Sequence, residues 1–218
     1  LTAQLLTLLS WLSPVFPTGG FAYSAGLETA AVEGRTTTAE MLENRLATLI
    51  EYGAAWNDAV LLAAAHRTAD DAVAIDDLAT LARALCGSAE RLRETLDQGR
   101  AFRLAAEPWF TERSDTMLPE APLPVVIGIA AARHGLPVQD TVGAFLHAFV
   151  SAQLQAAIRL SILGQSGAAL ILARLEHAIE TAVQRAMDTD IADLGTCTLA
   201  AEIDTLRHET LPGRLFLS

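Results

Sequence analysis

The stretch SPVFPTGGFAYSAGLE, Ser13 to Glu28, is the first place where residue types and spacing could do chemistry. A glycine-rich loop cradles phosphate when Gly-x4-Gly-Lys-Ser/Thr supplies backbone N–H groups and a lysine. Here Leu27 follows Gly26, and no Lys or Arg occurs between Leu1 and Arg35. The Gly-x-Gly-x-x-Gly spacing of a dinucleotide site is missing too, so packing or an interface explains this corner better than a nucleotide. GQSGA at Gly164 to Ala168 has the outline of a nucleophile elbow. That motif needs glycine where Ala168 stands and a strand ahead of the serine, so Ser166 reads as a helix cap.

Metal chemistry has two candidates. Glu176, His177 and Glu180 fall within one helical turn, but a carboxylate-bridged site in a bundle repeats Glu-x-x-His on a paired helix, and no second motif is found. DTDIAD begins like a calcium loop, but Ala192 falls where a ligand belongs and no glycine follows. His66, His134 and His147 are isolated. The acidic pairs Asp70/Asp71 and Asp76/Asp77 sit at expected helix starts, where they complement the helix dipole. No metal, cofactor or catalytic residue is indicated. Three places remain that packing does not explain: the corner, the segment IRLSILGQ around Arg159 and Gln165, and the end RHETLPGRLFLS. In the last, Arg214 precedes Leu215-Phe216-Leu217, the anchor-plus-arginine pattern of interface hot spots. Such a tail either docks in a partner's groove or folds back on its own core. Removing Arg207 to Ser218 is expected to leave the fold largely intact but to weaken complex formation.

The elements that must position these places are helical. Of 218 residues, 51% are hydrophobic, 19% charged and 6% aromatic, so the core rests on Ala and Leu, strong helix formers. An all-α single domain spanning 1–218, a bundle of roughly eight to ten helices without sheet, is the expected fold. Thr2 to Leu12 reads as a helix ended by Pro14, and a second runs from about Phe21 to Val32. Thr37 with Glu40 forms a capping box for a helix continuing to about His66 with a bend near Gly53. Asp70 onward gives an amphipathic helix, and Ser88 caps another carrying Leu92, Leu96 and Phe102. EPWFTERSDTMLPEAPLP reads as a long connection. Helices from Leu123 to about Arg133, through Thr141 to Leu160, and from Ala168 to Met187 complete the pattern.

A net charge of −11 argues against nucleic-acid binding. Cys86 and Cys197 suggest neither a disulfide framework nor a zinc site, and a reducing cytoplasm is the natural home. The uncharged N-terminal stretch lacks a positive n-region and is broken by Pro14 and Pro17, so it does not read as a signal peptide. The chain opens without Met, and its numbering is expected to start inside the gene product. Thr141 to Ile158 approaches the length of a membrane span, but His147, Ser151, Gln153 and Gln155 favour a helix at the centre of a bundle, and no membrane partner is expected.

The three unexplained places together resemble the urease accessory protein F (UreF) family. The corner is similar to its Ser-Pro-x-x-Pro-x-Gly-x-Phe-x-Tyr-Ser-x-Gly-Leu-Glu signature, AAIRLSILGQ to its Arg-Leu-x-x-x-Gly-Gln segment, and RHETLPGRLFLS to its closing pattern. QGRAF, Gln98 to Phe102, is a shorter match. Gly20 stands where Ala is usual, GQSGAAL lacks a second Gln, and Leu217 replaces a closing Arg. The resemblance implies an all-helical, non-enzymatic nickel-insertion chaperone in the cytoplasm. It would bind UreD (also UreH), help recruit the GTPase UreG to apo-urease, and form homodimers. It also implies partner-contact roles for Ser13, Pro14, Pro17, Gly19, Phe21, Tyr23, Ser24, Gly26, Leu27 and Glu28 in the corner, with Glu28 and Tyr23 reaching out. Arg159, Leu160, Gly164 and Gln165 would form a turn, and His208, Glu209, Arg214, Leu215 and Phe216 a docking tail within 207–218. The competing reading is a helical enzyme using Arg159, Gln165 and His147, or a metal version using Glu176, His177 and Glu180.

Overall fold

Alanine-rich sequence lets helices approach closely, and the most alanine-rich segment becomes the centre. In the computed structural model, which describes residues 3–110, 118–195 and 198–218, Ala54–Arg67 forms a helix with Ala55 through Ala65 buried except for Asp58. Among the described residues there are ten α-helices and no strand. They are α1 (Ala3–Trp11), α2 (Leu27–Val32), α3 (Ala39–Tyr52), α4 (Ala54–Arg67), α5 (Ala72–Ala84), α6 (Ala89–Ala106), α7 (Leu123–Arg133), α8 (Val138–Arg159), α9 (Gln165–Asp188) and α10 (Leu199–His208). Helix α4 packs against α3, α5, α7, α8 and α9. Its tightest crossing is with α7, where a Cβ on Gly128 would lie 2.4 Å from the Leu62 carbonyl oxygen.

That central place was expected for the Thr141–Ile158 segment. Helix α8 is long and apolar enough to cross a membrane, yet it is half-buried and lies at the side of α4. Val142, Leu146, Val150 and Leu154 face the core, while His147 and Gln155 are exposed. Several other boundaries differ from the sequence reading. The segment Leu42 to His66 is two helices, because Gly53 takes an extended conformation at the break. Thr38 caps α3, accepting from the Met41 N–H at 3.2 Å, one residue later than the capping box suggests. Gly164 stands at the cap position of α9, which leaves Ser166 inside the first turn and not at the cap. Ser88 does cap α6, and Asp71 caps α5.

Helix α6 differs most from expectation. Its buried face carries Glu90, Glu94, Thr95, Gln98 and Phe102, whereas Leu92 and Leu96 are only half-buried. Helix α1 is anchored by Trp11, edge-on to Phe102 at 5.5 Å and 5.5 Å from His134, while Leu5, Leu6 and Leu9 stay exposed. Within the Pro-rich connection, Glu107–Trp109 forms a 3₁₀ turn, and 111–117 lie outside the described residues, as does Cys197.

Candidate functional site

The corner does not form one continuous helix from Phe21. Gly20–Ala22 makes a 3₁₀ turn, Tyr23 is extended, and α2 begins only at Leu27. The interruption has a physical cause. Gly26 has φ +75°, and a Cβ there would lie 2.8 Å from the Thr205 amide nitrogen, so the corner passes directly beneath α10. The chain is also drawn open by its own carboxyl end. The Ser24 N–H donates to the Ser218 carbonyl at 2.8 Å, and the Leu217 N–H donates to the Ala22 carbonyl at 2.8 Å.

Glu28, in the first turn of α2, organises the rest. It is 4% exposed, and its two oxygens accept from the N–H groups of Leu215 (2.7 Å) and Phe216 (3.0 Å). Its Oε2 also faces His208 Nε2 at 3.1 Å. His208 closes α10 and is fully buried; its Nδ1 lies 2.7 Å from Oε2 of Glu90 in the first turn of α6. The other Glu90 oxygen pairs with the Arg214 guanidinium. Both carboxylates thus sit at helix N-termini and the imidazole at a C-terminus, the arrangement helix dipoles favour. Burial works to raise the Glu28 carboxyl, but donation from Leu215, His208 and Phe216 outweighs it and holds the group below its ordinary range.

Phe216 is buried, with the Arg159 guanidinium from the end of α8 over its ring at 4.1 Å. The same guanidinium reaches the Phe21 carbonyl. Ser218 donates its hydroxyl to Glu94 at 3.0 Å, and Glu209 accepts from the Ala89 N–H at 2.9 Å. A second network holds α10 in place: buried Asp204 pairs with Arg45 and Arg35. Behind Glu94, Arg91 bridges Asp58 and Glu94. Burial pushes the Asp58 and Glu94 carboxyls up, and the Cys86 thiol as well. Asp58, Cys86, Arg91 and Glu94 are among the residues that line a cleft of about 1130 Å³, which also reaches Tyr23, Phe21 and Trp11.

The structure therefore joins the corner, Arg159 and the tail, and the tail folds back on its own core. His208, Phe216 and Ser218 are interior, so of the two readings of the tail the structure shows the one in which it folds back on its own core. Glu28 and Tyr23 do not reach outward; both are buried, and burial, with Asp97 and Glu94 nearby, raises the Tyr23 hydroxyl. Ser24, Gly26 and Leu27 are interior too, while Phe21, Arg214 and Leu215 remain exposed. Ser13, Pro14, Pro17 and Gly19 form the turn ahead of the corner, with the Phe16 N–H donating to the Ser13 carbonyl at 2.9 Å. Leu160 caps α8 and is half-buried; Gly164 and Gln165 are exposed at the start of α9. No buried cluster forms from Arg159, Gln165 and His147, because all three are exposed. His177 and Glu180 are 3.9 Å apart on an outer face. Among the described residues, no group of three or more His, Cys, Asp or Glu side chains is placed to hold a metal. The sequence reading missed Glu90, Glu94 and Asp204. For the first two a signal existed: Glu90, Glu94 and Gln98 recur at i, i+4 and i+8, marking a polar inward face.

These features define an all-α protein whose carboxyl-terminal strap, residues 209–218, is tied to an N-terminal corner by backbone hydrogen bonds and by the buried Glu28 carboxylate. The UreF family model matches residues 36–176, from just ahead of α3 to the middle of α9. Relatives extend the likeness to both ends. A urease accessory protein UreF from Agrobacterium fabrum is 48% identical over 216 residues, 99% of this chain and 97% of the relative. UreF proteins from Rhizobium etli and Brucella ovis are 44% and 45% identical, over 98% and 100% of this chain and 96% and 95% of theirs. The chain belongs to the UreF family of urease accessory proteins.

Proposed function

We propose that this chain is a non-enzymatic assembly factor in the cytoplasm, acting as a homodimer in nickel insertion into urease. In this reading it binds UreD (UreH) and helps recruit the GTPase UreG to apo-urease, so nickel and nucleotide are handled by its partners. One observation carries the reading. The corner, Arg159 and the tail form a single built surface, in which buried charges fix the backbone and Phe21, Leu215 and Leu217 stay 74%, 52% and 59% exposed. Apolar side chains held out from a rigid frame suit recognition, because little conformational entropy is lost on binding. Gly26, Glu28, Ser24 and His208 then serve binding indirectly, by holding that frame.

Co-purification of the full chain with UreD and UreG tests the proposal. A stable assembly containing all three is expected, and size measurement gives its stoichiometry. A folded, monodisperse chain that captures neither partner would overturn it.

A further inference from the structure

Helix α6 turns its carboxylates inward and its arginines outward. Glu90 and Glu94 are buried, where His208, Arg214, Arg91 and Ser218 engage them, so neither can neutralise an arginine on the outer face. Arg93, Asp97, Arg100 and Leu104 recur at i, i+4, i+7 and i+11, within about 60° of one another around the helix, and all four are exposed. Leu104 keeps 51% of its surface in solvent. Arg103 lies at the edge of this stripe, half-buried, with a buried Nε that no acceptor meets. Among the described residues, Arg67, Arg93, Arg100 and Arg103 are the arginines with neither an ion pair nor a hydrogen bond, and the last three belong to α6. Carboxylates are not scarce, since 26 acidic residues accompany 15 basic ones in the chain. Yet Asp97, one turn from each, pairs with neither Arg93 nor Arg100. Arg93 and Asp97 both act on the Tyr23 hydroxyl, which places that end of the stripe beside the corner.

We infer that the α6 stripe is a docking face for an acidic segment of a partner protein, whose carboxylates take the Arg93 and Arg100 forks while an apolar side chain covers Leu104. The inference rests on the assembly role proposed above and adds a second contact beside the corner. A guanidinium presents paired N–H groups that match a carboxylate, and arginine is enriched among the residues that dominate interface energies. Phosphate would satisfy the same forks, but a bilayer or a nucleic-acid duplex is an extended anion that meets the whole molecule's charge of −11. An acidic protein segment meets the stripe locally, within the roughly 8–10 Å over which salt leaves a charge visible. Charge placed this way acts on the rate of encounter and on the choice of partner.

Binding of UreD and of UreG to the full chain carrying Arg93→Gln and Arg100→Gln tests this, at about 50 and about 300 mM salt. Both side chains are exposed, so the melting temperature should match the wild type. For at least one of the two partners the Kd at low salt should rise about tenfold, and its salt dependence should shrink. Asp97→Asn should act in the opposite sense, tightening the same complex about twofold, an opposition that a merely structural role would not produce. Wild-type Kd and salt dependence for both partners, in a folded variant, would overturn the docking face and leave the assembly role standing. Loss of binding to phosphatidylglycerol vesicles or duplex DNA, with both partner affinities unchanged, would overturn it equally. A wild-type chain that captures neither partner overturns both readings.

Discussion

Glu28 concentrates the chemistry of this molecule in one carboxylate, which receives two backbone N–H groups and a histidine while almost wholly buried. Its folded carboxyl lies below the ordinary range. Its stabilising contribution is therefore present above the unfolded carboxylate value of about 4.3 and is lost as pH falls through the folded value. Glu28→Gln should lower the urea midpoint at neutral pH and flatten its decline toward acid; an acid limb as steep as wild type would contradict that role. Phe216, buried under Arg159, gives a second expectation at this scale. Phe216→Ala should cost about 3 kcal/mol in urea unfolding, from lost burial and the cavity left behind. The sequence made Glu28 visible only as the end of a motif. What it could not reveal is the direction in which the side chain points, because its ligands come from nearly 190 residues further along the chain.

At the scale of elements, periodicity and capping explain most of what was legible. Pro14 and Gly135 follow the ends of α1 and α7, Pro137 stands at the N-cap of α8, and Ser88 and Asp71 supply oxygens to free N–H groups. Reading failed where a tertiary contact overrode local preference. The corner breaks its helix because α10 lies across Gly26 and the strap pairs with Ser24, neither of which a local window contains. On α6 the buried face is polar because ion pairs from α4 and the strap satisfy it, so an apolar stripe was the wrong guide. Two substitutions probe the elements. Gly128→Val would force α7 away from α4 and should cost about 2–3 kcal/mol, read from thermal or urea unfolding. Ser161 ends α8 with φ +59°, and its N–H donates to the Ile158 carbonyl at 3.0 Å. Ser161→Gly should raise stability by about 0.5–1 kcal/mol by relieving a left-handed conformation in a residue with a Cβ.

Across the whole molecule, the carboxyl-terminal strap is closed onto the corner at residues 22–28. Composition made the all-helical fold legible, since alanine and leucine dominate a core with few aromatics. It could not show that α4 is central or that the strap belongs to the interior, because those depend on which apolar faces meet. Deletion of 209–218 removes the Leu215 and Phe216 N–H groups from Glu28, Arg214 from Glu90 and the Ser218 hydroxyl from Glu94 at once, leaving His208 and Arg91 alone to balance three buried carboxylates. A loss of about 3–5 kcal/mol, or failure to yield folded protein, is expected on that truncation.

The proposed role of this surface as a partner-binding frame is tested most directly by the affinity for UreD of the full chain carrying Phe21→Ser and Leu215→Ser together. Both side chains are exposed, so melting temperature and helical signal should match the wild type, while the Kd should rise at least about tenfold. Wild-type affinity in a normally folded double variant would contradict it.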